Sequence, residues 1–123
     1  MLSKLKDLFQ PANDEQLLDF FQLEGLIRNQ VPFLLLDLRE KNLPVLSDKA
    51  QKLVKGSEAV GPKEVEAYLK DKQVSEIQPI VLVCAKGKSS RRLARELQKK
   101  SWLNVYALAG GFEQLEKDLL GTK

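Results

Sequence analysis

Pro79-Ile80-Val81-Leu82-Val83-Cys84-Ala85-Lys86-Gly87-Lys88-Ser89-Ser90-Arg91-Arg92-Leu93-Ala94-Arg95-Glu96-Leu97 changes character at its single cysteine. Before Cys84 the chain is a short, continuous apolar run. That pattern suits a strand buried on both faces, as in a parallel sheet. After Cys84 the apolar positions Leu93, Ala94 and Leu97 take helical spacing, while Arg91, Arg95 and Lys99 recur on another face. A helix from about Ser89 to Lys100 is therefore expected, with Cys84 at the carboxyl end of a buried strand and Gly87 in the turn.

Similar units flank this one. Val31 to Leu36 is a second apolar run ended by charge, and Val105-Tyr106-Ala107-Leu108 a third. The latter leads through Gly110-Gly111 into a terminal helix around Phe112 to Leu120. Gly61-Pro62 opens a helix with Val65, Tyr68 and Leu69 inward, proline suiting a first helical turn. Residues 40–57 are polar, with one short helix from about Ser47 to Val54, and Ala59-Val60 reads as a brief strand. Asn13 and Gln16 have the spacing of a capping box. They predict a helix with Leu17, Leu18, Phe21 and Leu26 buried and Gly25 near its end. Leu2, Leu5, Leu8 and Phe9 also have helical spacing, stopped by Pro11. Residues 1–12 are thus expected as a peripheral segment folded back on one domain, 13–123. Strands alternating with helices predict an α/β fold, a parallel sheet of about five strands covered on both faces.

Composition narrows the chemistry. The 123 residues include one cysteine and no histidine. Histidine general bases, Cys-His and Ser-His hydrolases and histidine metal sites are excluded together, as are multi-thiolate zinc sites. No apolar stretch reaches the length of roughly 18 residues that a membrane span needs. Lys4, Lys6 and Asp7 stand where a signal peptide would be apolar, so a cytoplasmic location is expected. The net charge of +3 is unevenly spread. Residues 84–100 hold Lys86, Lys88, Arg91, Arg92, Arg95, Lys99 and Lys100 against Glu96, so positive charge gathers just after the cysteine and would draw in an anion.

A cysteine in this position has reasons to be reactive. Helix-terminal amides lack internal partners, and with the helix dipole they stabilise a thiolate. Lys86 and Lys88 add charge, and Gly87 lets the loop turn its N–H groups inward. The competing reading is a small apolar filler after a strand.

The loop resembles the active-site loop of the rhodanese family, a Cys with Gly three residues later and Ser six residues later: Cys84, Gly87 and Ser90. Ala94, Leu97, Val105, Leu108 and Gly110-Gly111 continue the resemblance. Leu34-Leu35-Leu36-Asp37-Leu38-Arg39 resembles the family's strand ending in Asp-x-Arg. Where the family has a Gly-His-Ile-Pro-Gly-Ala-like segment, this chain has Lys55-Gly56-Ser57-Glu58-Ala59-Val60. It also has Ser89 where Arg or Thr is common, and Leu115 where an aromatic is usual.

The resemblance implies a rhodanese-like three-layer α/β/α fold and a thiosulfate-type sulfurtransferase. Cys84 would carry sulfur as a persulfide. Lys86 and Lys88 would bind the anionic donor, amides of Ala85 to Ser89 would cradle it, and Ser89 or Ser90 would add hydroxyls. Asp37 and Arg39 would support neighbouring loops. The partners expected are a small anionic sulfur donor and a thiol acceptor, a thioredoxin-like protein among the candidates. A monomer is expected, with no metal, no organic cofactor and no nucleic acid.

Three alternatives compete with this reading. A nucleotide-binding loop needs glycine where Leu82 stands. A cysteine phosphatase or arsenate reductase needs Arg where Ser90 stands. A regulatory or docking module of the same fold would show no sulfur uptake.

Overall fold

The computed structural model describes residues 17–40 and 45–121. Five parallel strands form one sheet in the order β1-β5-β4-β2-β3, with β1 Leu17–Leu18, β2 Leu34–Asp37, β3 Glu58–Ala59, β4 Ile80–Val83 and β5 Val105–Leu108. The helices between them are α1 Phe20–Arg28, α2 Asp48–Leu53, α3 Val65–Asp71, α4 Lys88–Lys99 and α5 Gly111–Gly121, with a short 3₁₀ turn at Pro62–Glu64 before α3.

Side-chain alternation along β4 builds both cores. Val81 and Val83 face a cluster with Leu18, Phe20, Leu23, Leu26, Ala50, Phe112 and Leu115, drawn from β1, α1, α2 and α5. Ile80 and Leu82 face the opposite cluster with Val65, Leu69, Ala94, Leu97 and Trp102. Every residue of β4 is fully buried. Two covered faces are what make β4 uniformly apolar, so the α/β reading holds; the run expected over Val31 to Leu36 is a strand only from Leu34, with Pro32 exposed.

One stretch differs from expectation. Leu17 and Leu18 lie in β1, pairing with Ala107 and Leu108, and do not belong to a helix. Helix α1 begins later. Asp19 caps it, accepting from the Gln22 amide at 2.8 Å, while the Gln22 side chain accepts from the Asp19 amide at 2.8 Å. The capping box is therefore Asp19/Gln22; Asn13 and Gln16 lie outside the described residues, as does the expected helix over 1–12. The phase shift turns the stripe, so Phe20, Leu23 and Leu26 are buried while Phe21 is 66% exposed. The helix expected from Ser47 is present, with the Ser47 side chain accepting from the Ala50 amide. Tyr68 is only half-buried on α3, beside fully buried Val65 and Leu69.

Connections leave β2 toward β3 but leave β4 toward β5. The direction of winding reverses between β2 and β4, and ligands of open α/β sheets bind beyond the carboxyl ends of strands at such a point. Asp37 and Val83 are register partners there. Cys84 follows directly.

Candidate active site

The loop from Cys84 to Gly87 is shaped by what holds its carbonyls. The Phe112 amide donates to the Cys84 carbonyl at 2.9 Å, and the Glu113 amide donates to the Ala85 carbonyl at 3.0 Å. With those oxygens drawn to the start of α5, the amides of the loop are free to turn the other way. Gly87 takes φ +95°, a left-handed conformation that a side chain disfavours, and a Cβ there would lie 2.9 Å from the Gly110 amide nitrogen. Gly111, at φ +63°, packs so closely that its Cβ would lie 2.7 Å from the Gly87 nitrogen. The two glycine sites are one device: the turn after β5 buttresses the turn after β4.

The inward amides converge on sulfur. Cys84 Sγ accepts from the Gly87 N–H at 3.1 Å and the Ser90 N–H at 3.4 Å, and the Ser90 Oγ lies 3.3 Å away. The Lys86 amide adds a smaller contribution in favour of the anion. Ser90 is fully buried in the first turn of α4, and its Oγ also reaches the Gly87 carbonyl at 3.3 Å. When Cys84 is a thiol, its S–H donates to Ser90 Oγ, whose proton goes to Gly87. When it is a thiolate, the Ser90 hydroxyl can turn to donate to sulfur. Burial pushes the Cys84 thiol up, but the hydrogen bonds from the Ser90 hydroxyl and the Ser90, Gly87 and Lys86 amides more than offset this, holding its pKa below the ordinary thiol value. The residue is 7% exposed and borders an apolar cluster, yet its sulfur faces N–H groups.

The remaining residues of the expected site separate by position. Lys86, Lys88 and Ser89 are exposed at the rim, and Ala85 is half-buried. Of the two serines, it is Ser90 whose hydroxyl reaches the sulfur. Arg91 is exposed. Asp37 and Arg39 form a buried pair at the end of β2: Arg39 Nε and Nη2 donate to the two carboxylate oxygens at 3.1 and 2.8 Å, and the Arg39 amide donates to Oδ1 at 3.0 Å. The guanidinium carbon stands 4.3 Å from the centre of the Phe112 ring. The pair therefore braces the start of α5, which in turn holds the sulfur loop.

Phe112, Glu113, Glu116 and Leu46 line a cavity against Ala85 and Lys86. None was singled out from sequence as part of the site. The signal that could have found Phe112 and Glu113 is Gly110-Gly111, a turn after one sheet strand that must pack on the turn after its neighbour.

Fold and loop define a class: a parallel α/β domain presenting a single amide-ringed cysteine at the winding reversal of its sheet. The sequence profile described as the rhodanese-like domain matches residues 22–118. The chain belongs to the rhodanese-like domain family. It is 33% identical, over 63 residues, to the thiosulfate sulfurtransferase GlpE of Pseudoalteromonas translucida, a match covering 51% of this chain and 58% of that protein. The chain thus spans a little over half the length of that relative. Among solved structures, the rhodanese-like domain of the Anabaena sp. Alr3790 protein superposes with a TM-score of 0.67 at 16% identity, covering 85% of this chain and 76% of that one. The human single-domain sulfurtransferase TSTD1 gives 0.63 at 14% identity, covering 88% and 97%. These two likenesses concern the fold. Among the described residues, no helix is long and apolar enough to cross a membrane.

Proposed function

We propose that this protein is a sulfurtransferase that carries sulfane sulfur as a persulfide on Cys84. The observation that carries this reading is the ring of N–H groups of Lys86, Gly87 and Ser90, with the Ser90 hydroxyl, around a sulfur whose pKa is lowered. A cradle of fixed dipoles favours an anionic sulfur before and after loading, since both thiolate and persulfide are negative. No general base is needed, which suits a chain without histidine. The GlpE relative, named a thiosulfate sulfurtransferase, supports the donor class.

In the donor half-reaction, Cys84 thiolate attacks the outer sulfur of thiosulfate; the donor S–S bond breaks, and sulfite leaves with its electron pair. In the acceptor half-reaction, a thiolate or cyanide attacks the outer sulfur of the persulfide and Cys84 leaves as thiolate. Such covalent relays divide one transfer into two displacements. Lys86 and Lys88, at the rim, would attract the dianionic donor. A phosphate-transfer reading lacks support, because position 90 holds a buried serine on the sulfur instead of an arginine fork.

Intact-mass spectrometry after mixing with thiosulfate tests the proposal. One added sulfur atom on the native chain, and none on Cys84→Ser, is the expected result. An unmodified native chain would instead mark a docking module.

A further inference from the structure

We propose that the cavity beside the sulfur loop receives the organic arm of a small aminothiol acceptor, with its ammonium group facing Glu113. This rests on the sulfur-transfer reading above and specifies its second substrate. The cavity has a volume of about 380 Å³ and is lined by Leu46, Ala85, Lys86, Phe112, Glu113 and Glu116. Ala85 and Lys86 are the two residues that follow Cys84, so the cavity and the sulfur cradle share a wall. The opposite wall is tied to the same loop, through the Phe112 and Glu113 amides on the Cys84 and Ala85 carbonyls. Volume and apolar lining suit a small organic molecule held by a few polar groups.

Charge selects which molecule. Among the described residues, two carboxylates and one lysine line the cavity. The Glu116 carboxylate is already occupied: Oε2 accepts from the Ser47 amide at 2.8 Å and Oε1 from the Ser47 hydroxyl. Among the described residues, the ion pair of Glu113 is a loose one, with Lys117 Nζ at 4.0 Å and the two side chains 51% and 66% exposed. An incoming cation can compete for it. The cradle meanwhile favours negative sulfur. A ligand matching both poles is a thiolate at one end and an ammonium at the other, joined by a short apolar arm resting on Leu46 and Phe112. Its thiolate attacks the outer sulfur of the Cys84 persulfide, the Cys84 S–S bond breaks with its electron pair returning to Cys84, and the acceptor leaves as its own persulfide, with no net oxidation.

The test compares cysteamine with mercaptopropionate as acceptors for protein already loaded by thiosulfate, loading being read by intact mass and rates corrected for each thiol's thiolate fraction. Glu113 is exposed, so Glu113→Gln and Glu113→Lys leave the core intact. The cysteamine-to-mercaptopropionate rate ratio should fall about two- to fivefold in Glu113→Gln, the scale of an exposed charge pair, and further in Glu113→Lys. An unchanged ratio across the three proteins would overturn the proposal. Failure to load with thiosulfate would count against the sulfur-transfer reading instead. The cavity would then be probed by disulfide exchange of native Cys84 and the same variants with cystamine and dithiodipropionate, where a ratio indifferent to Glu113 again overturns it.

Discussion

Ser90 places both its amide, at 3.4 Å, and its hydroxyl, at 3.3 Å, on the sulfur of Cys84. The two residues are joined by one turn of loop and the opening turn of α4, so the helix terminus and the cradle are the same structure. The first turn of α4 must form before the sulfur acquires its two Ser90 donors. The chemistry of the cysteine is thereby coupled to the integrity of α4.

Ser90→Ala keeps the amide and removes the hydroxyl. A hydrogen bond to a charged partner contributes about 1.5–3 kcal/mol, and losing it disfavours the thiolate, so the Cys84 pKa should rise. The pH profile of Cys84 alkylation by iodoacetamide reads this directly. An unchanged profile would mean that the backbone alone sets the thiolate.

The native protein has its own pH signature. Burial raises the Cys84 pKa and the surrounding donors lower it further than burial raises it, so the net shift is downward. The sign follows. The folded chain holds its thiolate to lower pH than the unfolded chain, so alkylation should persist to more acidic pH in buffer than in urea. The same difference contributes stability that is fully present above the unfolded pKa and is lost as pH falls through the folded one. Comparing native and urea-unfolded protein by alkylation rate checks it; coincident profiles would contradict the lowered pKa.

The parts of the fold visible in sequence are those whose cause is local. Ile80 to Val83 and Val105 to Leu108 read as strands because burial on both faces leaves no polar position to confuse the period. The cysteine loop was legible because Cys84, Gly87 and Ser90 lie within one turn of chain. Leu17-Leu18 failed for a complementary reason. A two-residue edge strand has no period, and two leucines before a helix continue its stripe as readily as they end a sheet. Asp19/Gln22 and Asn13/Gln16 offer the same capping pattern, and only pairing of Leu18 with Leu108 decides between them. The Glu116–Ser47 contact joins residues 69 positions apart, so neither segment carries a sign of it. Leu46 and Glu116 on the cavity wall could not be read for the same reason, whereas Gly110-Gly111 marks the turn that brings Phe112 and Glu113 to it.

Asp37→Asn should show how far the supporting pair reaches. Removing the charge takes from Arg39, buried over Phe112, the carboxylate that both its Nε and Nη2 meet, and breaking a buried pair costs about 3–5 kcal/mol. Urea denaturation measures the loss. Replacing both partners together should cost less than the sum of the single changes, because each single change already breaks the contact the two share. Additive losses would show that the pair acts as two independent contacts.

Gly111→Ala tests the buttress between the two turns. The new Cβ meets the Gly87 nitrogen at 2.7 Å from a backbone at φ +63°. Left-handed geometry alone costs about 1–2 kcal/mol, and the clash adds to it. The turn after β4 must move to relieve the contact, so Cys84 alkylation at neutral pH should slow while α-helical circular dichroism is retained at low temperature. Gly121→Ala, with open space around its Cβ, serves as the control.

Lys86 and Lys88 are exposed at the rim, so their contribution should appear in donor capture and not in bond breaking. An exposed charge pair contributes about 0.2–1 kcal/mol, so Lys86→Ala or Lys88→Ala should raise the KM for thiosulfate roughly two- to fivefold each. The kcat should stay nearly constant, since attraction present before the reaction is uniform binding. Added salt should raise the native KM toward that of the double variant, because the rim charges are open to screening. A fall in kcat with KM unchanged would instead place one lysine on the departing sulfite, closer to the sulfur than its exposure suggests. Steady-state rates at two ionic strengths separate these outcomes.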